Sequence, residues 1–368
     1  MTTDIDTMHE GLAHATGRRA CGASHGLAAL GGKVAGARLE RVQDSPQFNG
    51  KRFVNVLDTP MAAPNVSVAW QYVAGSEQRV PSEPFPLLEP ETKSLVPGRG
   101  EALQVTWLGH STALLEIDGK LVLTDPVFGP RASPVSWMGP KRFHKPPIEP
   151  EQLPPIDVIL ISHDHYDHLD FPSISRLAHR DTTWVTSLGV GAHLESWGVP
   201  AERIIELDWW AEADVRGLQI VATPSRHFSG RGPGSAATTH WASWALRGPV
   251  HSVWFSGDTG PWDDGFAEIG ERFGSFDLAM IEIGAWHPSW GHIHLGPENA
   301  LRVHQQVRAK TLMPVHWGTF SLALHAWDQP ICHLMELAEQ AGAQLVSPMM
   351  GQTVHRESGV AEYWRQRR

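Results

Sequence analysis

The chain has 368 residues, 41% of them hydrophobic and 19% charged, a balance that suits a globular protein with a sizeable buried core. A formal net charge of −10 without clustered Lys and Arg gives no electrostatic footprint for nucleic acid, and no run of 18 or more apolar residues reads as a spanning helix. Cys21 and Cys332 form no CxxC pair and no disulfide framework, so both are expected as free thiols.

Taken in chain order, residues 1–100 carry few periodic apolar patterns and are expected to form an extension wrapped on a core. Arg18-Arg19 precede a weakly apolar stretch that imitates a twin-arginine export signal, but His25 and Lys33 interrupt it. The expected location is therefore cytoplasmic, with peripheral membrane contact left open. Phe53, Val54 and Met61 to Ala63 are the apolar surface that the extension offers, without a clear amphipathic helix, and Pro81, Pro84, Pro86, Pro90 and Pro97-Gly98 close it.

From residue 101 to 368 the texture is that of a single α/β domain. Strand-like runs fall at 103–108, 113–117 and 120–124, with Asp118-Gly119 as a hairpin turn. Further runs follow at 157–161, 184–186, 218–223, 252–255, 278–283 and 311–315. Pro297-Glu298-Asn299 opens a helix continued by Ala300, Leu301, Val303 and Val307, and residues 330–341 form another, closed by Gly342. Strands gathered first and then mixed with helices predict two sheets covered by helices on their outer faces.

Directly behind Val158-Ile159-Leu160-Ile161 stands Ser162-His163-Asp164-His165-Tyr166-Asp167-His168-Leu169-Asp170, with three imidazoles and a carboxylate in HxHxDH order. Such a donor set suits Zn²⁺ and other borderline divalent ions, and the lack of a nearby Cys argues against a closed structural zinc site. The competing reading is a His-rich solvated loop. Asp170 reads equally well as the cap of a following helix.

Three later strand-like runs also end in candidate ligands: His227, Asp258 within Gly257-Asp258-Thr259-Gly260, and His316. Together, His163, His165, Asp167, His168, His227, Asp258 and His316 are too many for one tetrahedral ion but suit two ions sharing a bridging carboxylate. Two such ions would hold a water as hydroxide for attack on phosphorus or a carbonyl carbon. Asp125, in Leu123-Thr124-Asp125-Pro126, reads either as a turn residue or as the acceptor of a ligating imidazole's second N–H. His110 also reads either as a turn residue or as a group supporting the ligands.

These residues resemble the metallo-β-lactamase superfamily, which implies a four-layered αβ/βα sandwich with the site at the sheet edge. More narrowly, Thr106-Trp107-Leu108-Gly109-His110-Ser111, Met138-Gly139-Pro140-Lys141-Arg142-Phe143, Glu206-Leu207-Asp208-Trp209-Trp210 and Val315-His316-Trp317-Gly318-Thr319-Phe320 are similar to the N-acylphosphatidylethanolamine-hydrolysing phospholipase D family. The resemblance implies one zinc held by His163, His165 and His227 and a second by Asp167, His168 and His316, with Asp258 bridging; Fe or Mn fits the same donors. It also implies that His294 contacts the phosphate or protonates the leaving group, with His292 as its neighbouring competitor. Asp167, Asp258 and His294 are thus the catalytic candidates. Met350, where the mammalian enzyme carries a histidine, and Val135-Ser136 before Trp137 depart from the family pattern.

The function expected on these grounds is a dinuclear zinc phosphodiesterase acting on N-acyl phosphatidylethanolamine or a related phospholipid. A lactonase or β-lactamase-like hydrolase of a small carbonyl substrate is the alternative, and a non-catalytic membrane-associated module the third reading. Trp286, Trp290, Trp317 and Phe320 lie beside site residues in the sequence and read either as an acyl groove or as core.

Overall fold

The computed structural model describes residues 26–60, 70, 75, 77–90, 95, 96 and 102–367. Arg18-Arg19, Cys21, His25, Met61 to Ala63 and Pro97-Gly98 lie outside the described residues.

The first six strands are β1 (Leu103–Gly109), β2 (Thr112–Ile117), β3 (Lys120–Thr124), β4 (Val158–Ile161), β5 (Thr183–Ser187) and β6 (Ile204–Leu207). The next seven are β7 (Glu212–Val215), β8 (Leu218–Thr223), β9 (Ser243–Arg247), β10 (Ser252–Phe255), β11 (Phe276–Glu282), β12 (Ala309–Val315) and β13 (Gln344–Leu345), and β14 (Thr353–His355) comes last. They form two sheets, ordered β14-β1-β2-β3-β4-β5-β6 and β13-β12-β11-β10-β9-β8-β7. Read from β14 and from β7, both sheets show three antiparallel pairings and then three parallel ones.

The strands are apolar on both faces because both faces are covered. In β4, Val158 and Leu160 join the cluster between the sheets, with Trp107, Leu115, Leu246 and Trp254, whereas Ile159 and Ile161 pack with Ile174, Leu177 and Leu194. Those last three side chains belong to α2 (Phe171–Leu177) and α3 (Gly191–Ser196), which lie outside the first sheet. Helices α4 (Asp263–Phe273), α5 (Gly296–Gln306) and α6 (Gln329–Ala341) add Phe266, Leu301 and Leu334 to the core of the second. The result is the expected four-layered α/β sandwich.

The two expected helices are present as α5 and α6, with Gly342 closing α6 in the left-handed region at φ 64°. Among the described residues of the extension, helix α1, Gly36–Asp44, is not anticipated from the sequence. Its anchor is ionic rather than periodic and apolar. Arg38 Nε and Arg41 Nη2 reach Glu206 Oε2 at 2.7 and 2.6 Å, while Glu206 Oε1 accepts the backbone N–H groups of Gly189 and Gly191.

Strand direction places the site. In the first sheet β1, β3 and β4 run the same way, and in the second β8, β10, β11 and β12 do. The segments that follow their C-terminal ends carry His110, Asp125, the HxHxDH run, His227, Asp258 and His316, while Glu282 is the last residue of β11.

Candidate metal centre

All seven sequence candidates come together, in two groups joined by one carboxylate. His163 Nε2 lies 2.9 Å and His227 Nε2 3.2 Å from His165 Nδ1, and Asp258 Oδ2 stands 3.9 and 3.6 Å from the same two Nε2 atoms. On the other side, Asp258 Oδ1 is 3.1 Å from His168 Nε2 and Oδ2 is 3.2 Å from His316 Nε2. Asp167 Oδ2 completes that group, 3.3 Å from His316 Nε2 and 3.5 Å from His168 Nε2.

Groups behind the ring nitrogens fix which atoms face inward. Asp125 Oδ2 accepts from the Ser162 hydroxyl and from His168 Nδ1–H, both at 2.7 Å, and Ser162 Oγ in turn accepts from His163 Nδ1–H at 2.9 Å. His227 Nδ1–H donates to the Ile293 carbonyl at 2.9 Å. With Nδ1 engaged from behind, His163, His168 and His227 all aim Nε2 inward, the orientation a metal ligand requires. His168 Nε2 and Asp258 Oδ1 are buried and make no hydrogen bond among the described residues, although they face each other. A buried imidazole nitrogen facing a buried carboxylate oxygen fits a cation between them, a proton or a metal ion.

The electrostatics agree. Burial and the neighbouring imidazoles push His163 well below its ordinary range, and burial foremost lowers His165 and His227, so these three stay neutral. Burial opposes charge on His316 too, but Asp258 and Asp167 outweigh it and raise the ring to about 10; the same carboxylates and Asp125 lift His168. Burial likewise works against Asp167 and Asp258, yet the surrounding histidines hold both well below the carboxylate range. The pocket therefore demands positive charge beside these carboxylates.

Backbone strain concentrates at the same edge. His110, Asp125 and His316 all have positive φ, at 56°, 34° and 64°, a region unfavourable for residues with a Cβ. His316 N–H donates to His110 O at 3.1 Å and His110 N–H to Thr319 Oγ1 at 2.8 Å, while Asp125 N–H donates to Leu160 O at 2.9 Å. In Gly257-Asp258-Thr259-Gly260, Gly257 turns at φ 52° against Ser162, and Gly260 lies where any Cβ would meet the His292 carbonyl.

Asp125 plays the supporting part, and His110 Nε2 lies 2.9 Å from Asp167 Oδ2. Asp170 caps α2, accepting Ser173 N–H at 3.1 Å. His294 is buried 3.9 Å from Asp258, whereas His292 is exposed and outside the cluster. Trp317 stacks on Trp107 within the core, Phe320 packs edge-on against His110, and Met350 is fully buried in the core; Trp286 and Trp290 are half-buried.

Two acids escape the sequence reading. Glu282 accepts His294 Nδ1–H at 2.7 Å and Thr259 N–H at 2.8 Å; a lone acid ending an apolar strand was its signal. Asp164, an apparent spacer in the HxHxDH run, accepts Gly230 N–H and the Thr239 hydroxyl and lies 3.3 Å from His193 Nε2. A cavity of about 320 Å³ opens beside His227, lined by Val54, Asn55, Leu57, Phe228 and Trp241 among others.

A mixed two-sheet sandwich with a His- and Asp-rich cluster at its loop edge defines a metal-dependent hydrolase of one established class. A model of the β-lactamase superfamily domain matches residues 120–317, and the chain belongs to the metallo-β-lactamase superfamily. It is 45% identical over 341 residues to an uncharacterized protein of Mycobacterium tuberculosis, covering 90% of each chain. It is 38% identical over 232 residues to N-acyl-phosphatidylethanolamine-hydrolyzing phospholipase D 1 of Caenorhabditis elegans, a match spanning 60% of this chain and 65% of the nematode protein. Among solved structures, isothiocyanate hydrolase from Delia radicum gut bacteria superposes with a TM-score of 0.55 at 21% identity, over 68% of this chain and 98% of that one, a likeness of fold alone.

Proposed function

We propose that this metal-dependent hydrolase is a phospholipase D-type phosphodiesterase with two divalent ions, zinc in the first instance, acting on N-acyl phosphatidylethanolamine or a related phospholipid. The observation that carries the two-ion reading is Asp258, whose carboxylate lies within 3.9 Å of inward nitrogens from both histidine groups. His163, His165 and His227 would hold one ion and Asp167, His168 and His316 the other, with Asp258 shared. When bound, such ions supply an activated water nucleophile and Lewis-acid stabilisation of developing negative charge. Similarity to the nematode phospholipase supports the substrate class.

The chain's own residues then have separable tasks. Asp125 and Ser162 fix the tautomers of His163 and His168, so their lone pairs stay aimed inward. Glu282 accepts the Nδ1–H of His294, which fixes the tautomer and leaves Nε2 free to take up and give back a proton. In the reaction, oxygen from water replaces the phosphorus–oxygen bond to the N-acylethanolamine, and His294 returns a proton to the departing alkoxide. Phosphatidic acid and N-acylethanolamine are the products.

The test is an activity panel on metal-replete protein with N-acyl phosphatidylethanolamine, bis-p-nitrophenyl phosphate, a lactone and a β-lactam. Phosphodiester turnover with release of phosphatidic acid is the expected result. Hydrolysis of the lactone or β-lactam alone would contradict the proposal and favour carbonyl chemistry.

A further inference from the structure

We infer that Asn55, from the N-terminal extension, is a positioning residue for the candidate metal centre and sets the affinity of the position built on His163, His165 and His227. Its side-chain amide meets both backbone polar groups of His227: Asn55 Nδ2 donates to His227 O at 2.7 Å, and His227 N–H donates to Asn55 Oδ1 at 3.1 Å. The paired bonds reproduce the exchange between facing residues of an antiparallel ladder, here made by a side chain. With the His227 ring held from behind by Ile293 O, the residue is fixed at three points, and its Nε2 has little freedom to leave the cluster.

The neighbouring residue extends the same fastening. Arg226 donates from Nε to Thr59 Oγ1 at 2.9 Å, from Nη2 to the Asp58 carbonyl, and from Nη1 to Pro261 O at 3.1 Å. One guanidinium thus joins the extension to the segment that carries Asp258. Phe53 seats this part of the extension, donating its N–H to Ala237 O at 2.8 Å and stacking on His240 with ring centroids 4.3 Å apart. Residues 52–59 are thereby part of the centre's supporting frame.

Only a side chain with a donor and an acceptor side by side can make both Asn55 bonds. Asn55→Ala removes both, while Asn55→Asp keeps the shape and the acceptor but sets a carboxylate oxygen against the His227 carbonyl. The inference rests on the proposed ligand role of His227 and is independent of the substrate. Its test is chelator competition with Zn²⁺ and with Co²⁺, whose visible spectrum reports ligand geometry, alongside melting of the metal-free proteins.

In either variant, one of the two ions is expected to bind about 10- to 100-fold more weakly, with a changed Co²⁺ spectrum, and excess metal should restore kcat. The second ion should keep its affinity, and the metal-free melting temperature should stay within roughly 2 °C of the parent, as expected when overall stability is little altered. Parental affinity at both positions would overturn the inference, as would equal weakening of both together with a lower metal-free melting temperature. Asn55→Asp carries the test if Asn55→Ala does not fold. Failure of the parent to bind two ions would instead refute the two-ion reading itself.

Discussion

His294 and Glu282 show how residues outside the seven-member cluster acquire chemistry. Glu282 is completely buried, and burial raises its pKa despite the stabilising neighbourhood of His294, so the 2.7 Å bond from His294 Nδ1 is among its main compensations. With Nδ1–H donated to Glu282, His294 keeps Nε2 as its free lone pair, an arrangement that suits proton transfer. His294→Ala is therefore expected to lower kcat about 10²- to 10⁴-fold while two ions remain bound. Parental turnover, or loss of an ion in that variant, would refute the role. Most of the cluster is legible in the sequence because each candidate ligand stands shortly past an apolar run. Glu282 is hidden in its run as one acid among apolar neighbours, and Asp164 is masked by the candidate ligands on either side.

At the scale of elements, legibility depended on whether a segment is held by its own pattern or by distant groups. β4 was readable because its four apolar residues lead into the HxHxDH run. α4 was not, since Gly265 and Gly270 interrupt its helical texture; Gly265 sits against the Trp262 ring and Gly270 against Gln306 O, where a Cβ would not fit. α1 was missed for another reason, as only Val42 on it is buried and its attachment is through Arg38 and Arg41 to Glu206. The Glu206 side chain is buried and receives four bonds, so Glu206→Gln should cost roughly 2–4 kcal/mol, tempered by the partial exposure of both arginines. Denaturant titration, with limited proteolysis near α1, measures this. An unchanged midpoint and an uncut α1 would show the clamp to be dispensable.

For the molecule as a whole, stability is coupled to pH through buried histidines outside the cluster. Burial pushes His240 down to about 3, and both of its ring nitrogens lack a hydrogen bond among the described residues; burial likewise lowers His304 to about 4. Below the ordinary histidine pKa of about 6.5, the unfolded chain takes up protons that these folded side chains refuse. Each such group therefore withdraws about 1.4 kcal/mol of stability per pH unit as pH falls toward its folded value. His240→Phe, which keeps the stacking on Phe53, should lessen the loss of stability between pH 7.5 and pH 5 in metal-free protein. An identical loss in the variant would contradict this. The central claim is that Asp258 joins two metal positions into one hydrolytic centre. Elemental analysis of metal-saturated protein after removal of free ions tests it most directly: two ions per chain are expected in the parent, and one or none in Asp258→Ala. A single ion in the parent, or two undiminished ions in the variant, would contradict it.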